Sequence, residues 1–205
     1  MRIISGKYKG KKLKAPKDNL VRPTSDRVKE NVFNILMGKV QDAIVIDAFS
    51  GTGALGIECL SRGAKEVYFV DKEIKSIELI RDNLQGLEGN YSVLNSSAER
   101  ALEQMRNKGV KADLIFIDPP YKSDIYSKII KMIVDNNILS KQGVVVVEKH
   151  KDNKDDYSYK GLRPFREKKY GETIICFMQF IDKVAITGTF DPITLGHIHL
   201  IEEAV

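Results

Sequence analysis

Two groups of residues in this chain have the types and spacing to do chemistry. The first is Asp118-Pro119-Pro120-Tyr121, directly after the apolar run Leu114-Ile115-Phe116-Ile117. Such a run reads as a strand buried on both faces, and two prolines can neither continue a ladder nor start a helix without a bend. The chain must stop sharply there. It then presents a carboxylate, two backbone carbonyls and an aromatic ring at the strand's carboxyl edge, where open α/β sheets bind ligands. A planar amino group fits this arrangement: the carbonyls and the carboxylate accept its hydrogens while the ring stacks on the base that carries it. Taken alone, the four residues also fit a bent Pro-Pro loop with a surface tyrosine.

The second group is Asp47-Ala48-Phe49-Ser50-Gly51-Thr52-Gly53-Ala54-Leu55-Gly56, a G-x-G-x-x-G string between an expected strand and an expected helix. Gly51 permits the tight turn, Gly53 lets a ligand approach the backbone, and Gly56 brings helix and strand close. Asp71, twenty residues past Gly51, ends the next strand and can accept both ribose hydroxyls of an adenosine. The pattern reads as a nucleoside cofactor site. Dinucleotides and S-adenosylmethionine share these features, and Asp47 discriminates between them. A negative charge beside the turn repels a pyrophosphate but pairs, directly or through water, with the ammonium of a methionine moiety. The Asp118 tip, expected next to the first strand, would face the cofactor's reactive end, so S-adenosylmethionine is favoured over a nicotinamide cofactor.

Alternating strands and helices must hold these residues in place. Thr24 or Ser25 can cap a helix with Asp26 in its first turn and Val28, Val32, Ile35 and Leu36 on one face. Strands are expected at 43–49, 66–71, 91–95, 112–117 and 143–147. The intervening helices run from the glycine turn to near Gly63, through Ile74, Ile77, Ile80 and Leu84 to Gly86, from Ala98 to Lys108, and around Ile129, Ile130 and Ile133. Segments 162–169 and 172–181 read as an antiparallel pair joined at Tyr170-Gly171. The expected fold is α/β, a doubly wound, mostly parallel, Rossmann-like sheet with a C-terminal antiparallel hairpin.

Composition fits this frame. The chain has 205 residues, 42% of them hydrophobic and 30% charged, enough for one full α/β domain with a few tens of residues left over. No apolar stretch approaches the roughly 18 residues that a membrane span needs, and no signal core is evident, so a cytoplasmic protein is expected. Cys59 and Cys176 stand far apart, and two of the three His fall in the last nine residues. Neither a disulfide framework nor a metal site is suggested. The net charge of +5 is concentrated before Arg22, where Lys7, Lys9, Lys11 and Lys12 interleave with Gly6, Tyr8 and Gly10. This arm reads as a short, twisted basic ribbon suited to phosphate contacts, or as a solvated tail. Lys168, Lys169 and Tyr170 can extend the basic surface.

The stretch from Arg22 to Glu30 (Arg22-Pro23-Thr24-Ser25-Asp26-Arg27-Val28-Lys29-Glu30), the string from Asp47 to Gly56, Asn95-Ser96-Ser97-Ala98, the Asp118 tip and the basic start Arg2-Ile3-Ile4-Ser5-Gly6 occur in order over residues 1–181. Together they resemble the RsmD family of small-subunit ribosomal RNA guanine-N2 methyltransferases. The resemblance implies S-adenosylmethionine bound by Asp47, Phe49, Ser50, Gly51, Gly53, Asp71, Lys72, Ser97 and Ala98. It implies catalysis by Asp118, Pro119, Pro120 and Tyr121, and RNA contacts from Lys7, Lys9, Lys11, Lys12, Arg22 and Arg27. Ser97 departs from the pattern of such enzymes, in which an acidic or amide residue often meets the adenine amino group; the Ala98 backbone amide can serve the ring instead. The implied partner is ribosomal RNA or the small ribosomal subunit, with no membrane and no metal. Asp-Pro-Pro-Tyr suits adenine N6 equally well, so a DNA adenine methyltransferase is the first alternative, and a non-catalytic RNA-binding module is the second. Neither Cys sits in a Pro-Cys motif, which sets cytosine carbon-5 chemistry aside.

Residues 183–205 read as a new strand, a turn and a T-x-G-H motif opening a helix. They resemble the start of phosphopantetheine adenylyltransferase, with Thr189, Thr194 and His197 as its nucleotide motif. The implied organisation is a basic arm at 1–22, a methyltransferase domain at 23–182 and the opening of a fused nucleotidyltransferase domain, inactive by itself.

Overall fold

The computed structural model describes residues 1–15, 26–119 and 125–181. Thr24, Ser25, Arg22, Pro120, Tyr121 and the tail with Thr189, Thr194 and His197 lie outside these residues.

The described chain folds as α1 (Asp26–Ile35), β1 (Ile44–Asp47), α2 (Ala54–Ser61), β2 (Glu66–Asp71), α3 (Ile74–Leu84), β3 (Tyr91–Asn95), α4 (Ala98–Asn107), β4 (Ala112–Ile117), α5 (Ile125–Asp135), β5 (Leu139–His150), β6 (Leu162–Tyr170) and β7 (Thr173–Phe180). The strands form one sheet in the order β3-β2-β1-β4-β5-β7-β6. The first five are parallel, while β7 runs antiparallel to β5 and β6 antiparallel to β7. The expected doubly wound sheet with a terminal hairpin is borne out. The order places the carboxyl ends of β1 and β4 side by side, with β2 and β5 flanking them.

Strand alternation sends successive side chains to opposite faces. Val45, Val67, Phe69, Leu114, Phe116, Val144 and Val146 meet the apolar faces of α1, α2 and α3. Ile46, Tyr68, Val70, Ile115, Ile117, Val145 and Val147 meet α4 and α5. Each fully buried Val, Ile or Phe contributes roughly 1.5–3 kcal/mol by leaving water. Both faces of the central strands are covered, which explains their continuous apolar runs.

Local chemistry sets the ends of the elements. Ser97, with extended backbone, caps α4 by accepting the Arg100 N–H. Gly86 follows α3 at φ 72°, a left-handed conformation in which glycine is unstrained. The edge strand β6 exposes Arg163, Arg166, Glu167, Lys168 and Lys169, charges that discourage pairing with another chain.

Two expectations need correction. The first strand is shorter than 43–49, because Ala48 N–H donates to the Phe116 carbonyl and the chain then turns into the glycine string. The fifth strand starts at Leu139 rather than Gly143, across a register irregularity opposite the stretch from Ala112 to Leu114. The helix read through Ile74, Ile77, Ile80 and Leu84 is present as α3, with Ile74, at its start, 65% exposed.

The basic amino-terminal residues form a small ribbon docked on the domain. Its two limbs bridge at Arg2 and Lys12, and Ile3 and Leu13 are buried in the core. Ser61 at the end of α2 binds it through several groups: its carbonyl accepts Lys7 N–H at 2.7 Å, and its hydroxyl accepts Tyr8 N–H and donates to the Ser5 carbonyl. Gly6 is required here, because a Cβ would lie 1.8 Å from the Ser61 carbonyl oxygen.

Candidate active site

Four parallel strands end their apolar runs in an acid: β1 in Asp47, β2 in Asp71, β4 at Asp118 and β5 near Glu148. Their carboxylates therefore gather along one edge of the sheet. The sequence reading found the first three. It missed Glu148, although Val144-Val145-Val146-Val147-Glu148 repeats the pattern of Leu114-Ile115-Phe116-Ile117-Asp118.

The glycine string forms a compact turn from β1 into α2. Ser50 fastens it, accepting Val70 N–H through its hydroxyl at 2.9 Å and donating to the Asp47 carbonyl at 2.7 Å. Gly51 and Gly53 have φ of 51° and 76°, conformations that favour glycine. Gly56 is helical, and its role is space: an added Cβ would fall 2.3 Å from the Phe69 ring. Asn83 of α3, absent from the sequence reading, donates to the Thr52 carbonyl at 2.9 Å and braces the turn from behind.

Asp71 is oriented by backbone donors. Gly51 N–H reaches one of its oxygens and Glu73 N–H the other, each at 2.9 Å. Each oxygen keeps a lone pair for a further donor. Lys72 is exposed and lies 3.8 Å from Glu73, and Phe49 is partly buried against the α4 and α5 side of the core. Ser97 turns its hydroxyl to its own helix, while the Ala98 amide is one of the donors that an α-helix leaves unpaired at its first turn.

Asp47 is 3% exposed and accepts Gly56 N–H at 3.1 Å. Burial raises its pKa to about 7, the Gly56 hydrogen bond opposes the rise, and the charge of Asp71 adds to it. Asp118 is pushed well above the usual carboxylate range, first by burial, then by the charges of Glu148 and Asp47. A site that gathers buried acids in this way favours a cation, since a positive ligand relieves both the repulsion and the cost of burial. The residues present therefore fit a sulfonium cofactor with an ammonium group, and they oppose a pyrophosphate.

The predicted catalytic and cofactor residues that are described, Asp118 and Pro119 with Asp47, Phe49, Ser50, Gly51, Gly53, Asp71, Lys72, Ser97 and Ala98, fall along the carboxyl edges of β1, β2, β3 and β4. The predicted RNA contacts lie on the docked ribbon and on α1. Lys7 pairs with Glu88 at 2.6 Å, and Lys11 donates to the Gln85 carbonyl. Lys9, Lys12 and Arg27 are exposed, and their side chains have no hydrogen-bond or ion-pair partner among the described residues. Asp26, in the first turn of α1, pairs with Arg2 at 3.2 Å.

A family model described as conserved hypothetical protein 95 matches residues 1–179. The chain belongs to this family. Among its relatives, ribosomal RNA small subunit methyltransferase D of Escherichia coli is 36% identical over 154 residues, covering 75% of this chain and 76% of that protein. YlbH of Bacillus subtilis is 36% identical over 175 residues, covering 84% and 95%. The solved structure of Escherichia coli yhhF superposes with a TM-score of 0.80 at 33% identity, covering 89% of this chain and 99% of that one. The family resemblance and the Rossmann-like methyltransferase fold read from the sequence are borne out.

Proposed function

We propose that this chain methylates the exocyclic N2 amine of a guanine in small-subunit ribosomal RNA. The coarser part follows from its family: it is an S-adenosylmethionine-dependent methyltransferase of the ribosomal RNA type. The cofactor supplies the methyl group from a sulfonium, a leaving group strong enough to need no covalent enzyme intermediate. The choice of base and atom is our reading: Asp118-Pro119 at the tip of β4, beside the glycine turn, supports an exocyclic amine, and the resemblance to the RsmD family supports guanine N2 as that amine.

An exocyclic amine on an aromatic base is a poor nucleophile, because its lone pair is delocalised into the ring. In this reading the Asp118 carboxylate and the Pro119 carbonyl accept its two hydrogens. That draws the nitrogen toward a tetrahedral shape with its lone pair aimed at the methyl carbon, and orientation supplies most of the acceleration. Tyr121 would hold the base by stacking, worth roughly 1–3 kcal/mol. The base must first leave its helix or loop. The basic ribbon supplies phosphate contacts, for which Lys9 and Lys12 are the exposed candidates. For residues 183–205 we keep the reading of an opening nucleotidyltransferase segment.

The test is labelled methyl transfer from S-adenosylmethionine to undermethylated small subunits, naked ribosomal RNA and duplex DNA. Label in RNA that disappears with Asp118→Ala supports the proposal. Preference for DNA contradicts the substrate, and equal labelling by Asp118→Ala contradicts the mechanism.

A further inference from the structure

β4 and β5 pair in parallel with Ile117 opposite Val147, so Asp118 and Glu148 are the next neighbours across the two strands. Phe116 and Val146, two residues earlier on each strand, both face the α1 and α2 side of the core. With a period of two, Asp118 and Glu148 project to that same side. They line one cleft, whose remaining walls include Val32, Leu55, Phe116 and Ile175. The end of β5 is fastened there by the Tyr126 hydroxyl, which donates to the Glu148 carbonyl at 3.0 Å. The cleft thus sets two adjacent carboxylates against apolar walls, a polarity suited to a ligand edge made of hydrogen-bond donors.

Resting on the proposed methylation of a guanine amine, we infer that Glu148 is the specificity residue of this site, accepting the ring N1–H of guanine while Asp118 accepts from the N2 amine. Adenine, cytosine and guanine all carry an exocyclic amine. In adenine and cytosine, the ring nitrogen beside the amine on the pairing edge is an acceptor. Guanine alone has a donor there. A carboxylate next to Asp118 gains a hydrogen bond from guanine and faces a lone pair in the other two, so the second acid converts an amine site into a guanine site. Discrimination of this kind, in which the wrong base leaves a buried polar group unpaired, is large. The groups facing Asp118 from the neighbouring strands, Asp47 and Glu148, are both acids, which suits a ligand edge made of donors alone.

The experiment compares small-subunit RNA carrying guanine or 2-aminopurine at the methylated position. The analogue keeps the N2 amine but has a lone pair at N1. The wild-type protein is expected to prefer guanine by about 10-fold to 100-fold, the range of one good base-edge contact. Glu148→Gln, whose amide can donate to N1, is expected to bring that ratio toward one. Both substrates are read on one preparation, so the ratio is independent of the fraction folded. Equal methylation of the two RNAs by the wild-type protein, or an unchanged ratio in Glu148→Gln, overturns the inference. Failure of the wild-type protein to methylate guanine at all would instead overturn the functional reading beneath it.

Discussion

Lys29 Nζ lies 3.2 Å from Glu58 Oε2, and neither side chain has exposed surface. Glu58 also accepts Ile4 N–H at 2.8 Å, Ser5 N–H at 2.9 Å and the Arg62 guanidinium at 2.9 Å. One carboxylate therefore joins the basic ribbon, α1 and α2, and α2 is the helix that begins at the cofactor turn. Losing one partner of a buried pair leaves an uncompensated charge. Lys29→Met is expected to lower unfolding free energy by about 3 kcal/mol, measured by urea denaturation. An unchanged midpoint would show that Arg62 and the two amides suffice for Glu58.

Gly56 tests the packing of the turn. A methyl group at this position meets the Phe69 ring of β2, which has no exposed surface to retreat into. Gly56→Ala is expected to lose about 1–3 kcal/mol through overpacking and to weaken cofactor binding, both partly restored by Phe69→Leu. Thermal unfolding and calorimetric titration check the two effects, and restoration is the part that a nonspecific defect would not give.

Most of the fold was legible because the period of the apolar residues changes cleanly from two to 3.6 along the chain, and β2, β3 and β4 fall at 66–71, 91–95 and 112–117 as expected. The ends of β1 and β5 were less legible, because they depend on which backbone partner the next strand offers. At the site, the glycines and three acids carry local signatures. Glu148 follows an apolar run like the one that precedes Asp118 but lacks the two prolines that mark a strand tip, and only the sheet order brings it beside Asp118. Lys29 and Glu58 were missed for a related reason: each stands on an apolar helix face, where a charge makes sense only once its partner on another element is known.

Asp47 makes stability depend on pH. Its folded pKa, about 7, exceeds the ordinary value of 3.8, so the folded state holds a proton that the unfolded chain has released. Its contribution is therefore full below about pH 4 and is lost as pH rises toward 7 and beyond; Asp118, shifted the same way, adds to the trend. Without cofactor, Asp47→Asn is expected to be more stable than the wild type at pH 8, by up to about 4 kcal/mol, with the difference vanishing near pH 4. Denaturation across that range checks it. The same substitution should weaken S-adenosylmethionine binding; tighter binding would contradict the assigned role.

The ribbon lysines should differ in their effect on RNA. Lys9 and Lys12 are exposed, and their side chains have no hydrogen-bond or ion-pair partner among the described residues, whereas Lys7 is already paired with Glu88. Replacing Lys9 and Lys12 together by Ala is expected to weaken RNA binding and to reduce the slope of log affinity against log salt by up to about 2, near one for each lost phosphate contact. Lys7→Ala should change the slope less. Filter binding from low to moderate salt separates them, and an unchanged slope in the double variant would move the RNA surface elsewhere.

The most direct measurement is nucleoside analysis of ribosomal RNA after reaction with methyl-labelled S-adenosylmethionine, for the wild-type protein and for Asp118→Ala. Label recovered as N2-methylguanosine with the wild type, and absent with Asp118→Ala, is the predicted result. Label recovered on another base, or N2-methylguanosine formed equally by both proteins, would contradict the account.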